Sequence, residues 1–347
     1  MSYDAALAVL HYYFPSGHSV RKIESIGNAG GWSGSRLWRI SAVGNALRGV
    51  PGPTNDLDLC LRRWPREHPT RERLEFMHRT LETVSAAGIA YIPVPLRTLT
   101  GKSYIEHAGH FSELTRWLPG SADFHAHPSR ERLRAAMQAL ARFHAATAAN
   151  APSAPAPAIA ERVHRTSELR SLLDRLSAAV QAGLDADLDA RARRILSLAP
   201  QHLSALLPPL QFAAAQLLLL QPAIRDIHHD HVLFTGDEVT GLIDFGALRI
   251  DTPLTDVARL VGSLVGDDLP AREFAFAAYA ELRPLSEADR RLIDLLDYSG
   301  VVLGSLNWLV WLYLERRDMG ETAPVIKRLD EIVGRLAVTK LGHGVLG

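Results

Sequence analysis

The hydrophobic pattern of this chain changes period near residue 128, and that change limits what the sequence can fold into more than any other feature. Before it, short apolar stretches alternate with turns. KIESIGNAGGWSGSRLWRI at 22–40 sets a glycine-rich turn between two strand-like runs, 57–64 reads as a third strand ending at Pro65, and 89–95 as a further one. Between them, 71–87 places Leu74, Met77, Leu81 and Val84 at helical spacing. Beyond residue 128, helical periodicity dominates, over 130–149, 161–182, 188–206, 254–265, 271–283, 286–316 and 323–336. APSAPAPA at 151–158 reads as a hinge, because proline removes backbone donors and restricts its predecessor. The exception is 210–250, where 232–234 and 239–243 read as two short strands around Thr235-Gly236-Asp237.

A chain of 347 residues is long enough for two lobes with separate cores. Lysine plus arginine equals aspartate plus glutamate at 38 each, so no overall field draws in nucleic acid or an anionic membrane, and neither is expected as a partner. The single cysteine, Cys60, excludes an intrachain disulfide, and the first residues lack the basic start and apolar run of a secretory signal. The apolar run 301–314 is broken by Gly304, Ser305 and Asn307 and is shorter than the ~20 residues of a membrane span, so it reads as a buried helix. The expectation is a soluble, cytoplasmic protein; the sequence leaves its oligomeric state open.

The chemistry concentrates between 224 and 246. Ile224-Arg225-Asp226-Ile227-His228-His229-Asp230-His231 leads into the first short strand, and Leu242-Ile243-Asp244-Phe245-Gly246 closes the second. Asp226 and Asp244 thus flank a hairpin whose pairing draws the flanking loops together. Phosphoryl transfer calls for such a pair: one carboxylate orients the attacking hydroxyl and takes its proton, and another holds a divalent cation against nucleotide phosphates. The run 228–231 also offers zinc-type ligands, although adjacent residues cannot all aim at one ion.

This segment resembles the catalytic and metal-binding loops of the aminoglycoside phosphotransferase and choline kinase-like small-molecule kinases. That family reads His-Gly-Asp-Leu-His-Pro-Gly-Asn-Val-Leu, then Ile-Asp-Phe or Ile-Asp-Trp. Laid on it without a gap, the resemblance puts the catalytic aspartate at Asp226, the metal aspartate at Asp244 and the aspartate heading the next helix at Asp256. ALARFHA with His144 resembles the helix behind the catalytic loop, where a buried, hydrogen-bonded histidine is expected. GGWSGSRLWRI resembles the nucleotide loop, LCLRRWP the strand bearing a lysine or arginine, and TRWLPG the hinge, so the likeness runs from about 27 to 314. Two positions depart. Ile224 stands where the family usually has histidine, and His231 where it has an asparagine that ligates metal; imidazole suits Mn²⁺ or Zn²⁺ better than Mg²⁺.

The resemblance implies an α+β, bilobal protein-kinase-like fold. Residues 1–112 would form a small strand-rich nucleotide-binding lobe and 113–347 a larger, mainly helical catalytic and acceptor-binding lobe. ATP would lie with its adenine near 113–117 and its phosphates under the 27–34 loop, where Gly30, Gly31 and Ser33 are candidate contacts. Arg62 is the candidate phosphate-neutralising cation: on an alternating strand, if Leu59 and Leu61 face the helix, Cys60 and Arg62 share the other side. Its carboxylate partner by family register is Glu75, although Glu75 lies off the Leu74/Met77/Leu81 stripe and reads equally as a solvated glutamate. The implied activity moves the γ-phosphoryl group of ATP to a hydroxyl of a small molecule, with Mg²⁺ or Mn²⁺ held by Asp244 and His231. Ile224 and His231 support an alternative, a nucleotide-binding pseudokinase acting as scaffold or sensor. A metal hydrolase built on 228–231 is a second. The sequence does not name the acceptor.

Overall fold

The computed structural model describes residues 3–14, 19–27, 34–43, 56–148 and 152–338. The chain opens with α1 (Tyr3–Leu10), then β1 (Ser19–Gly27), β2 (Arg36–Val43) and β3 (Asp56–Arg63). Next come α2 (Arg71–Ala86), β4 (Ile105–His107), β5 (His110–Arg116) and α3 (Arg130–Ala146). β6 (Ser153–Ala154), α4 (Pro157–Ala182), α5 (Ala186–Ala214), β7 (Leu218–Leu219) and β8 (Gln221–Ala223) lead to the hairpin β9 (Val232–Thr235) and β10 (Glu238–Leu242). β11 (Arg249–Asp251), α6 (Leu254–Val265), α7 (Leu269–Ala280), α8 (Glu287–Leu309) and α9 (Thr322–Val338) complete it.

Packing divides the chain into two compact units, Met1–Arg132 with Asp230–Ala247, and Leu133–His229 with Leu248–Gly347. The boundary therefore falls twenty residues beyond the 112/113 division expected from sequence, and the β9–β10 hairpin belongs to the N-terminal unit. Backbone contacts account for this: Ser121 and Phe234 form an antiparallel bridge, and Leu242 N donates to Tyr91 O at 2.7 Å.

In the first unit, an antiparallel sheet of order β1-β2-β3-β5-β4 buries Trp38, Ile40, Leu59, Leu61 and Leu114 with Leu10 and Tyr13, which come from α1 and the turn after it. Leu59 and Leu61 do alternate with Cys60 and Arg62, but the helix they share a core with is α1 rather than the one at 71–87. α2 starts at Thr70, whose hydroxyl caps it by accepting from Arg73 N, and buries the expected Leu74, Met77, Leu81 and Val84. The strand expected over 89–95 does not form. Pro93 and Pro95 cannot donate to a ladder, and only an isolated bridge, Pro95 to Thr115, remains.

In the second unit, α5 packs on α4, α8 and α9, and α6 packs on α8. α4 begins earlier than expected, at Pro157, because proline suits the first helical position. α5 runs on to Ala214 through Pro200, Pro208 and Pro209, past the expected end at 206. Buried Leu203, Leu206, Leu210 and Ala213 continue its apolar stripe, and that burial outweighs the proline penalty of ~3 kcal/mol each. Where α6 meets α8, Gly262 is required: a Cβ there would lie 2.0 Å from Asp297 Oδ1. Asp297 itself accepts from Arg272 at 2.8 Å and Arg335 at 2.9 Å. α8 ends in a wider π turn, Val310–Leu314, with Glu315 N bonded to Val310 O at 2.9 Å. Among the described residues Glu287–Leu314 is long and apolar enough to cross a membrane, and 67% of its apolar window is buried inside the protein.

Candidate functional site

The side chains singled out in the sequence fall in both units. In the first, β9 and β10 pair in a register that sets Leu242 opposite Val232, and Ile243 N then donates to His231 O at 3.0 Å. The residues just outside the hairpin are thereby brought together, with His231 Nε2 3.8 Å from Asp244 Oδ2. Asp244 has φ of 59°, a left-handed conformation that costs a non-glycine residue roughly 1–2 kcal/mol. Its surroundings hold it there. Arg62 Nη2 donates to Oδ1 at 2.8 Å, Gly246 N approaches Oδ1 at 3.4 Å, and Arg73 Nη2 donates to Gly246 O at 2.7 Å.

Arg62 is 15% exposed and lies over the Trp64 ring at 4.0 Å. The β3–β5 register sets it opposite Glu113, whose buried carboxylate meets His78 Nε2 at 2.5 Å, while His78 Nδ1 meets Ser103 Oγ at 2.8 Å. Burial alone raises the Asp244 pKa, but the Arg62 guanidinium and then His231 outweigh it and hold the carboxyl below its ordinary range. Burial likewise opposes ionisation of Glu113, and His78 and Arg62 overcome it. For Arg62 burial favours the neutral form, and Asp244 and Glu113 reverse that, so it stays cationic.

In the second unit, Asp226 follows Arg225, which has φ of 67°. Two of the four non-glycine residues with positive φ among those described, Arg225 and Asp244, therefore sit in the two loops that the sequence singled out. A fully buried carboxylate fixes the first loop. Asp256, on the first turn of α6, accepts from Arg225 N through Oδ1 and from Ile224 N through Oδ2, both at 2.6 Å. Its Oδ2 also accepts from His144 Nε2 at 3.0 Å, and Tyr279 Oη donates to His144 Nδ1 at 2.8 Å. His144 is completely buried, which lowers its pKa against the pull of Asp256, and the neutral ring is the form that can donate at one nitrogen and accept at the other. Ile224 is fully buried and supplies its contact to the clamp through the backbone. The Asp226 carboxylate stays half-exposed, with Arg259 Nη2 donating to Oδ1 at 2.8 Å.

Glu75, the expected partner of Arg62, instead accepts from Tyr104 Oη at 2.9 Å and lies 3.9 Å from Arg79. The carboxylates facing Arg62 are Asp244 and Glu113. Gly30, Gly31 and Ser33 lie outside the described residues. His228 and His229 are half-buried, and His229 N donates to Ser263 Oγ at 3.0 Å. Sequence reasoning missed Glu113 and His78, which only strand register and α2 bring beside Arg62, and Arg259, which sits three residues beyond Asp256 and so one turn along the same helix.

Comparison with known proteins gives the family and the fold. Residues 25–292 match the phosphotransferase enzyme family. A homoserine kinase of Methylocella silvestris is 33% identical over 90 residues, which are 24% of this chain and 28% of that protein, so the match spans under a third of the relative's length. An aminoglycoside phosphotransferase of Alicyclobacillus acidocaldarius superposes with a TM-score of 0.59 at 15% identity, over 98% of this chain and 96% of that one. A spectinomycin phosphotransferase solved with ADP and spectinomycin gives 0.61 at 12% identity, over 97% and 98%. These neighbours share the kinase-like α+β fold, a small antiparallel sheet followed by a helical part. With a family match covering most of its length, the chain belongs to the phosphotransferase enzyme family.

Proposed function

We propose that the protein transfers the γ-phosphoryl group of ATP to a hydroxyl of a small molecule. The observation that carries this reading is Asp226: a half-exposed carboxylate on a left-handed loop whose backbone is clamped by the buried Asp256. Strain of this kind persists where a side chain must be aimed, and the aimed group is a carboxylate. In the proposed step the acceptor oxygen forms a bond to the γ-phosphorus as the bond between that phosphorus and the β,γ-bridging oxygen breaks. ADP leaves with the bonding pair, and the hydroxyl proton passes to Asp226. Arg259 keeps the Asp226 carboxylate oriented beside the incoming hydroxyl.

Arg62 neutralises phosphate charge, with Glu113 and Asp244 fixing its position. The Asp244 carboxylate and His231 imidazole form a donor set that fits a divalent cation, and an imidazole donor favours Mn²⁺ over Mg²⁺. Such a cation would supply charge neutralisation between the phosphate oxygens. The ADP in the spectinomycin phosphotransferase supports a nucleotide donor, and the homoserine kinase supports a small hydroxyl acceptor. Ile224 lends little to a scaffold reading, since the backbone N–H that it retains makes the clamp contact.

The test is ATP-dependent phosphorylation of a panel of hydroxyl metabolites, with Mg²⁺ and with Mn²⁺. Asp226→Asn should lower kcat roughly 100-fold or more with the affinity for ATP retained. Unchanged turnover in that variant removes Asp226 from the reaction.

A further inference from the structure

Four guanidiniums surround the Asp226 loop within the second unit, and three of them are spoken for. Arg225 pairs with Glu161 and lies 3.5 Å from Asp251 Oδ2, Arg249 lies 3.5 Å from Glu161 Oε1, and Arg259 holds Asp226. Arg162 differs. It sits half-buried in the second turn of α4, with Nε donating to Ser299 Oγ and Nη1 to Ala158 O, each at 3.0 Å, and it forms no ion pair among the described residues. Its pKa is lowered to about 10, first by burial and then by the charges of Arg225 and Arg259, against the weaker pull of Asp251 and Glu161. Arg162 is thus held by two neutral acceptors and faces the like charges of Arg225 and of Arg259, the guanidinium that pairs with Asp226. An arriving anion would relieve that repulsion and gain charge-assisted hydrogen bonds from a fork already in position.

Resting on the phosphotransferase reading above, we propose that the acceptor is a small hydroxy acid whose carboxylate is bound by Arg162 and Arg259 while its hydroxyl meets Asp226. The acceptor must be short. Arg259 Nη2 is 2.8 Å from Asp226 Oδ1. A hydroxyl on Asp226 and a carboxylate on the same guanidinium would then lie about 5 Å apart, spanned by three or four bonded atoms, given hydrogen bonds of about 2.7–2.9 Å at each end. A polycationic acceptor would meet repulsion from the same arginines.

The experiment compares L-homoserine, 4-hydroxybutyrate and D-glycerate with L-homoserinol, 4-hydroxybutyramide and glycerol, and adds glycerol 3-phosphate as an anion of another kind. Binding is read by calorimetry without nucleotide, and turnover by ADP release with ATP. At least one acid should bind and turn over at least about tenfold better than its carboxylate-free analogue, since one charged hydrogen bond is at stake. Arg162→Gln should raise KM for that acid roughly ten- to hundredfold with kcat and KM for ATP within about twofold, and Arg162→Lys should fall between. Turnover of neutral or amine-bearing alcohols with no gain from the carboxylate overturns this inference and leaves the phosphotransferase reading standing, as does preference for glycerol 3-phosphate. An acid bound through Arg162 but never phosphorylated overturns the phosphotransferase reading and leaves the anion site standing. No binding and no turnover sinks both. The comparison between acids and their analogues uses the unmodified protein, so it stands even if an Arg162 variant fails to fold.

Discussion

Replacing Asp256 with asparagine removes one oxygen and one charge with almost no change of shape, and three donors feel it. Oδ2 serves two of them, Ile224 N and His144 Nε2, and Oδ1 serves Arg225 N. An asparagine oriented to keep its oxygen in the Oδ2 position turns an NH₂ group toward Arg225 N–H, donor against donor. The lost charge-assisted bond costs about 1.5–3 kcal/mol, and the two retained bonds weaken by about 0.5–1 kcal/mol each once the acceptor is neutral. The total is about 2.5–5 kcal/mol. At about 2–4 °C per kcal/mol for a unit of 150–250 residues, Tm should fall by roughly 5–20 °C. Freed from its clamp, Arg225 can leave its left-handed conformation and carry Asp226 with it. A displacement of about 1 Å is enough to lower kcat roughly 100-fold. Differential scanning fluorimetry gives the first quantity and ATP-dependent phosphorylation the second, with circular dichroism confirming that the variant is folded below its transition. A variant that melts within about 2 °C of the parent would refute the clamp, because three buried donors cannot lose a shared charged acceptor at so small a cost.

Arg62→Met leaves burial dominant at Asp244. With Arg62 present the folded carboxyl titrates below its ordinary 3.8, so its stabilisation is complete above that value and is lost as pH falls through the folded pKa; in the variant the acid loss of Tm should begin at higher pH. The buried, neutral His144 titrates below its ordinary 6.5 in the folded state, so its contribution is complete above pH 6.5 and declines as the unfolded chain alone takes up the proton. His144→Gln should reduce, though not abolish, the slope of Tm against pH between 6.5 and 5, since the lowered pKa of His202 acts in the same direction. Gly120 has φ of 100°, and a Cβ there would sit 2.4 Å from Thr240 Oγ1 and 2.6 Å from Phe234 O. Gly120→Ala should therefore cost about 2–4 kcal/mol, read by urea denaturation, by pushing the β9–β10 hairpin off the segment it pairs with.

Local signals made some of this legible in advance. The stripe of α2 and the span of α6 needed only periodicity, and the β9–β10 hairpin needed only two apolar runs around a Thr-Gly-Asp turn. The misreadings at 89–95 and in α5 came from proline, in opposite directions. Pro93 and Pro95 removed ladder donors from a segment whose composition reads as a strand. Pro208 and Pro209, just past the expected end at 206, failed to end a helix whose buried stripe continued beyond them. One rule about proline cannot give both outcomes. What decides is whether the residues around it have an apolar surface to cover, and that is a tertiary fact.

The site divides along the same line. Asp226, Asp244, Asp256 and His144 were legible because two loops and two helices carry them in a fixed chain order, and the structure gives each a definite neighbourhood. Glu113 was not legible as a partner for Arg62, because the two meet only through the register of β3 and β5, 51 residues apart in sequence. Family register offered Glu75 on α2, and the same helix does contribute, but through His78 one turn further on, which reaches Glu113 instead. The cation thus pairs with Asp244 and faces a carboxylate of the neighbouring strand, which a histidine holds from behind. Ile224 shows why a departure from a motif needs its backbone examined before its chemistry is doubted. The side chain that differs is buried in the core, and the N–H that every non-proline residue carries makes the contact that holds the Asp226 loop. His231 is a departure of the other kind, since its imidazole itself faces Asp244. Its consequence is chemical, and in the proposed site it bears on the choice of cation.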